Sequence, residues 1–277
     1  MITIKNVEEL EAEHEQQRQK WIKSGKYKHS FSISLQRADL SGTTLCKVNL
    51  KNALLCGANL KGTNLRNSDL SGAHLNHAYL PWANFSDCNL KGACFDKSDL
   101  SESYLIEANL KKARLVESNL RGADLSGADL DFADLTRSNL CQSKMKDTNL
   151  TNTIFVNALL VISNLKGANL SGAQLNGANL ERANLSEVKL MGAYLCHANL
   201  MKANLDGANL TGANLTKADF DGANLRGADL RDADFCRANI IFAKIKDTII
   251  TQSQWDELAR LYSQEFMGGF IVKELRD

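Results

Sequence analysis

From Leu35 to Ile250 every fifth residue is apolar, in 44 consecutive units without one phase slip. Leu fills most of these positions, with Phe85, Met145, Phe155, Phe220 and Ile240 as variants. A period of five matches neither the 3.6 residues of a helix nor the 2.0 of a strand, so the chain has to turn once in every unit. Two residues before each apolar position the side chain is small: Ala38, Thr43, Ala53, Ser68 and Cys88 are examples, and Ile33, Val48 and Val188 are the largest. One bulky plug and one small spacer per unit is what a narrow, filled interior requires. One residue before the plug, 28 of the 44 positions are Asn or Asp, whose side chains hydrogen-bond local backbone. Of the 18 Gly, 15 fall two residues after the plug. That offset fits a tight turn needing a positive φ, which Gly takes without steric cost.

Units reading ADLSG, ANLKG, ANLSG and ADLRG resemble the A(D/N)Lxx consensus of the pentapeptide-repeat family, and the resemblance covers about 220 of the 277 residues. It implies an all-β fold, a right-handed quadrilateral β-helix with four units per coil and the plug and spacer inside. Residues 33–252 would then make eleven coils, on the order of 50 Å long at ~4.8 Å per coil. No inserted loop interrupts the phase. The expected organisation is an N-terminal helical cap over 1–32, the repeat solenoid over 33–252, and a C-terminal helical cap with a terminal arm over 253–277.

Open solenoid ends expose unpaired backbone and need covering. Over 6–24, Asn6 followed by Glu9 has capping-box spacing, Val7, Leu10, Trp21 and Ile22 can share one face, and Gly25 is the expected stop. Ser253 and Asp256 repeat the spacing ahead of Trp255, Leu258, Leu261 and Tyr262. Met267 to Val272 follows as an expected terminal strand or arm.

Chemistry is sparse. Seven Cys without a CxxC pair predict neither a disulfide framework nor a zinc site, and a reduced, cytoplasmic setting is the expectation. The N-terminus has no apolar stretch of signal-peptide type, and no apolar run approaches the ~20 residues of a membrane span. His74, His77, Cys56 and Cys94 form the strongest enzymatic group: His74 and Cys94 share one outward slot on consecutive coils, but Cys56 and His77 fall in other columns, and Tyr194, Cys196 and His197 form a thinner group. With no Ser/His/Asp grouping, phosphate loop or HExxH, the sequence predicts no catalytic residue, no metal ligand and no cofactor. Solenoid walls also lack the concavity catalysis uses.

Charge bears on the partner. The chain carries 33 Lys+Arg against 32 Asp+Glu, and the repeat region has 24 basic against 22 acidic residues. Such a balance gives no field for drawing in nucleic acid or an anionic membrane. The family resemblance brings in an alternative function, inhibition or protection of a topoisomerase (gyrase) by DNA mimicry, which needs an acidic rod. Acidic clusters exist at Asp124, Asp129, Asp131 and Asp134 and at Asp219, Asp221, Asp229, Asp232 and Asp234. Arg121, Arg137, Arg226, Arg231 and Arg237 interleave them, and most of the Asp fall in the slot that Asn also fills. Lys144, Lys146 and Lys166, with Lys91, Lys111 and Lys112, read as solvated faces.

Two places break the polar-outside rule. In TIFVN-ALLVI the outward slots hold Ile154, Val156, Leu159, Val161 and Ile162. Near coil three Tyr79, Pro81 and Trp82 project, with Tyr104 and Ile106 diagonally adjacent. Contiguous exposed apolar side chains mark contacts. The sequence therefore predicts a non-catalytic scaffold or regulatory protein presenting flat walls to a protein partner. Two routes to a homodimer stay open, the C-terminal cap and the coil-seven apolar patch.

Overall fold

One pentapeptide explains how the chain folds. In 59–63 the Asn59 N–H donates to Ala38 O (2.9 Å), Leu60 to Tyr79 O (2.7 Å), Gly62 to Pro81 O (2.8 Å) and Thr63 to Leu60 O (3.0 Å). The remaining donor, Lys61 N–H, goes to Asn59 Oδ1 at 3.2 Å. All five amide groups are satisfied, four by main chain and one by the recurring Asn. That is why Asn or Asp dominates the slot before the plug: it caps a turn N–H that no carbonyl reaches. The Leu60 O to Thr63 N–H bond closes a β-turn whose third residue has positive φ, the type II pattern.

The structure is a computed structural model describing residues 5–23, 32–258, 260 and 269–272. The chain divides into two compact units, Met1–Asn139 and Leu140–Asp277.

In the first unit, parallel one-residue bridges join residues twenty apart, from Ser34↔Leu54 to Asn119↔Asn139. One bridge per pentapeptide and a twenty-residue repeat make each coil four-sided. Plug and spacer columns are buried inside, and Phe85 meets Phe95 edge-on at 6.1 Å between ring centres. Helix α1 (Val7–Lys23) starts with Asn6 Oδ1 accepting the Glu9 N–H at 2.8 Å. The expected reciprocal bond differs: Glu9 Oε2 accepts from Lys5 N (2.7 Å) rather than from Asn6. Leu10 is buried, and the Gln17 amide pairs with both the N–H and the C=O of Ser34 (2.7 and 2.9 Å). Gly25 and the side chains of Trp21 and Ile22 lie outside the described residues.

The second unit repeats the plan from Lys144↔Asn164 to Asp229↔Ile249. Strand β1 (Thr248–Ile250) runs into helix α2 (Gln252–Leu258), and β2 (Phe270–Val272) pairs parallel with β1, which gives the expected terminal strand. The capping box at α2 is not Ser253 with Asp256. Thr251 N–H donates to Gln254 Oε1 (2.7 Å), and Gln254 N–H returns to Thr251 Oγ1 (3.4 Å). Gln254 prevails because its Nε2 also reaches Leu230 O and Ala233 O, both at 2.9 Å, tying the helix to the coil. Leu261, Tyr262 and Met267 lie outside the described residues.

The turn slot holds one surprise. Positive φ occurs at all 43 described positions of this slot from Arg37 to Asp247, of which only 15 are Gly. The coil geometry imposes the left-handed conformation whether or not Gly is present. Asn and Asp tolerate it, whereas a β-branched residue does so only under strain.

Candidate docking surface

The apolar break of the second unit occupies two adjoining walls and the corners beside them. Ile154 and Leu159 stand where Asn or Asp is usual, Val156 at the first turn slot, and Val161 and Ile162 together at the next corner. Leu159 and Ile162 are exposed; Ile154, Val156 and Val161 are half-buried. Replacing the acceptor at 154 and 159 leaves the Val156 and Val161 amides without a side-chain partner among the described residues, so main-chain donors accompany the apolar surface. Ile162 has φ 58° with 49% of its surface exposed. It is the only β-branched residue at positive φ among the described residues. A strained side chain that its own fold leaves half in water is unusual, and such strain clusters at functional sites.

Structure joins this break to a second feature. A shallow groove of about 550 Å³ runs beside Val156 and is lined also by Asn176, Gly177, Tyr194, Cys196 and His197. Tyr194, Cys196 and His197 are thus part of the same surface as Val156, although forty residues separate them in sequence. Ile241 and Phe242, 52% and 81% exposed, are missed by sequence reasoning. Their signal was available, since both occupy outward turn slots. Met191 and, in the first unit, Phe132 belong to the same overlooked set of exposed apolar residues.

In the first unit Tyr79, Trp82 and Tyr104 are exposed and Ile106 is half-buried. Lys61 Nζ lies 5.1 Å from the Trp82 ring centre, a cation–π contact. Tyr104 bridges Asn84 and Asp124 on the wall beyond the Trp82 corner. Pro81 does not project: it is buried. It holds the first turn position between the coils of Lys61 and Ser101, where its fixed φ suits the turn. Having no N–H, Pro81 also needs no cap, so Tyr79 can occupy the acceptor slot.

The other groups do not converge. His74 bridges Cys94 on one wall, but Asn76 lies between Cys56 (3.9 Å) and Cys94 (3.0 Å). Arg114, next on that wall, is held by Asp96 at 2.8 Å. Among the described residues no cluster of three or more His, Cys, Asp or Glu could hold a metal ion. Cys88 is sealed inside, and burial pushes its thiol up to about 12. No described helix is long and apolar enough to cross a membrane.

Most carboxylates of the acidic clusters, namely Asp124, Asp129, Asp134, Asp219, Asp229 and Asp234, are turn caps. Asp124 accepts from Ser126 N and Oγ (3.1 and 2.7 Å), Asp134 from Thr136 N and Oγ1 (3.0 and 2.6 Å), and Asp219 from Asp221 N (3.0 Å). Asp229 is paired with Arg231 at 2.7 Å. Among the lysines, Lys111 pairs with Asp129 (3.0 Å) and Lys166 with Glu187 (3.1 Å). Charges of both signs are interspersed and frequently paired.

Eight copies of the pentapeptide-repeat model match, over ranges from 33–72 to 213–252. The chain belongs to the pentapeptide-repeat family. Among solved structures, the repeat protein is similar to HetL, described as involved in heterocyst differentiation regulation in the cyanobacterium Nostoc sp. strain PCC 7120. The two are 32% identical, with 83% of this chain and 94% of HetL covered and a TM-score of 0.53. It is also similar to QnrB1, a plasmid-mediated fluoroquinolone resistance protein, at 16% identity over 79% of this chain and 100% of QnrB1, with a TM-score of 0.51. The second likeness is one of fold alone. No curated protein matches the chain.

Proposed function

We propose that this pentapeptide-repeat protein is a non-catalytic docking or scaffold protein that regulates a protein partner in the cytoplasm. Its 44 pentapeptides make eleven right-handed coils, with α1 and α2 as caps. The observation that carries the docking reading is the Ile154–Ile162 break, above all Ile162, strained and half-exposed at its corner. The likeness to HetL, a protein involved in regulation, supports a regulatory role. Gyrase mimicry is the alternative, and the carboxylates committed to turn amides and arginines speak against it.

Leu159→Lys combined with Val161→Lys changes only outward side chains. The thermal melt of this double variant is expected to match that of the native chain, while proteins retained from the native host's extract are lost. Retention of the same proteins by the double variant would contradict the docking surface. In a supercoiling assay the purified chain is expected to leave gyrase unchanged, with or without a quinolone. Inhibition or protection at sub-micromolar protein would favour mimicry instead.

A further inference from the structure

Set out in rows of twenty, the outward residues of the second unit contain one wall without charge. Across 151–157, 171–177 and 191–197 none of the 15 outward positions is Asp, Glu, Lys or Arg, although these residues make up 23% of the chain. The next coil adds Thr211, Asn214 and Thr216, with Lys217 at its far corner. Ile154, Gln174 and Tyr194 are successive rungs up the middle of this wall, bridged in that order. Tyr194 and Met191 are 51% and 44% exposed. Depletion of charge with exposed Tyr and Met is the composition of an interface core.

We infer that two copies of the chain pair through this wall about a two-fold axis over Gln174. A wall with no charge has nothing to steer a charged partner, whereas a copy of itself can cover it without desolvating an ion. The wall is also self-complementary. With the copies antiparallel along the coil axis of this unit, Ile154 faces the second copy's Tyr194 and Val156 faces the second copy's Cys196, each contact made twice. The second copy's Val156 falls into the groove beside Cys196. On the axis the two Gln174 amides meet, each N–H donating to the other's carbonyl oxygen. Gly172 and Gly177 flank Gln174 at the corners, where the Asn152 and Asn157 side chains lean over them and form the polar rim of the wall. Isologous two-fold pairing is the commonest form of association.

The three coils that pair about this axis extend about 14 Å at ~4.8 Å each, so each copy buries less than the roughly 800 Å² per partner of a standard interface. The dimer is therefore weak, half-formed on the order of 100 µM. The inference shares Ile154 and Val156 with the docking surface and rests on that reading in taking exposed apolar side chains here as contacts.

Sedimentation equilibrium of the full chain up to about 1 mM tests it, using Gln174→Lys and Gln174→Glu. Gln174 is exposed, and matching melts establish that the variants fold. The native chain is expected to dimerise, and each variant alone to associate at least tenfold more weakly, because like charges meet on the axis. An equimolar mixture of the two is expected to regain the dimer. A native chain that stays monomeric, single variants that dimerise as it does, or a mixture that fails to recover would each overturn the inference. Leu159→Lys with Val161→Lys lies off this wall and should leave the dimer intact. Loss of partner capture with a preserved dimer, or the reverse, therefore separates the two readings.

Discussion

Leu90→Asp is expected to cost on the order of 5 kcal/mol. Leu90 is fully buried, stacked between Leu70 and Leu110 in one plug column. The substitution removes a close-packed side chain and places a carboxyl where the neighbouring inward positions are apolar plugs and small spacers. The buried carboxyl would have its pKa raised above the unfolded value, so the protonated form is favoured inside. The deficit should therefore be smallest below the unfolded carboxylate pKa and grow to its full size as pH rises through the folded one. Lys91→Asp, one residue away and exposed, is the control and should melt close to the native chain. Coincident melts of Leu90→Asp and the native chain would mean that the fifth residue does not point inward.

Gln254→Ala is expected to loosen the C-terminal end locally by about 2–3 kcal/mol. One amide closes the capping box with Thr251 and donates to Leu230 O and Ala233 O. Its removal frees the start of α2, leaves Ala233 O in a buried setting without its donor and leaves Leu230 O with the Ala233 N–H alone. Leu258 would lose its seat against Leu230, Phe235 and Ile245, which line a small cavity with it. Because repeats contact mainly their neighbours, the effect should stay near this end. Native-state hydrogen exchange reads it directly: the amides of 254–258 should exchange some tens of times faster, with those of 160–200 unchanged. Unaltered exchange over 254–258 would show that Gln254 does not hold the helix.

Much of this was legible in the chain because a period of five leaves few options. Plug, spacer and turn follow from residue size and from the recurrence of Gly and Asn at fixed offsets. The four-sided coil was not in the period itself and came from the family resemblance. Two local details failed for physical reasons. Capping-box spacing recurs at neighbouring offsets, and the choice between Thr251 and Ser253 turned on carbonyls more than twenty residues away. Pro81 reads as an exposed residue beside Tyr79 and Trp82 until the turn position shows its ring lying within the corner. At the candidate site the five apolar residues were visible as a run, but their union with Tyr194 and Cys196 requires the twenty-residue coil. The strain at Ile162 was invisible, since sequence gives no φ, and 28 non-glycine residues share that conformation without being β-branched, Ile162 excepted.

Ile162 gives the most direct test of the docking account. Asn occupies the same turn slot at 52, 67, 152 and 157 and accepts the left-handed conformation at lower cost. Relief of roughly 1 kcal/mol of backbone strain should offset the loss of a side chain that is already 49% exposed. The decisive measurement is therefore the melting temperature of Ile162→Asn alongside its retention of host proteins. The account predicts an equal or higher melting temperature with partner binding reduced at least tenfold. A melting temperature several degrees lower, or undiminished binding, would contradict it, because Ile162 would then serve its own fold and not a partner.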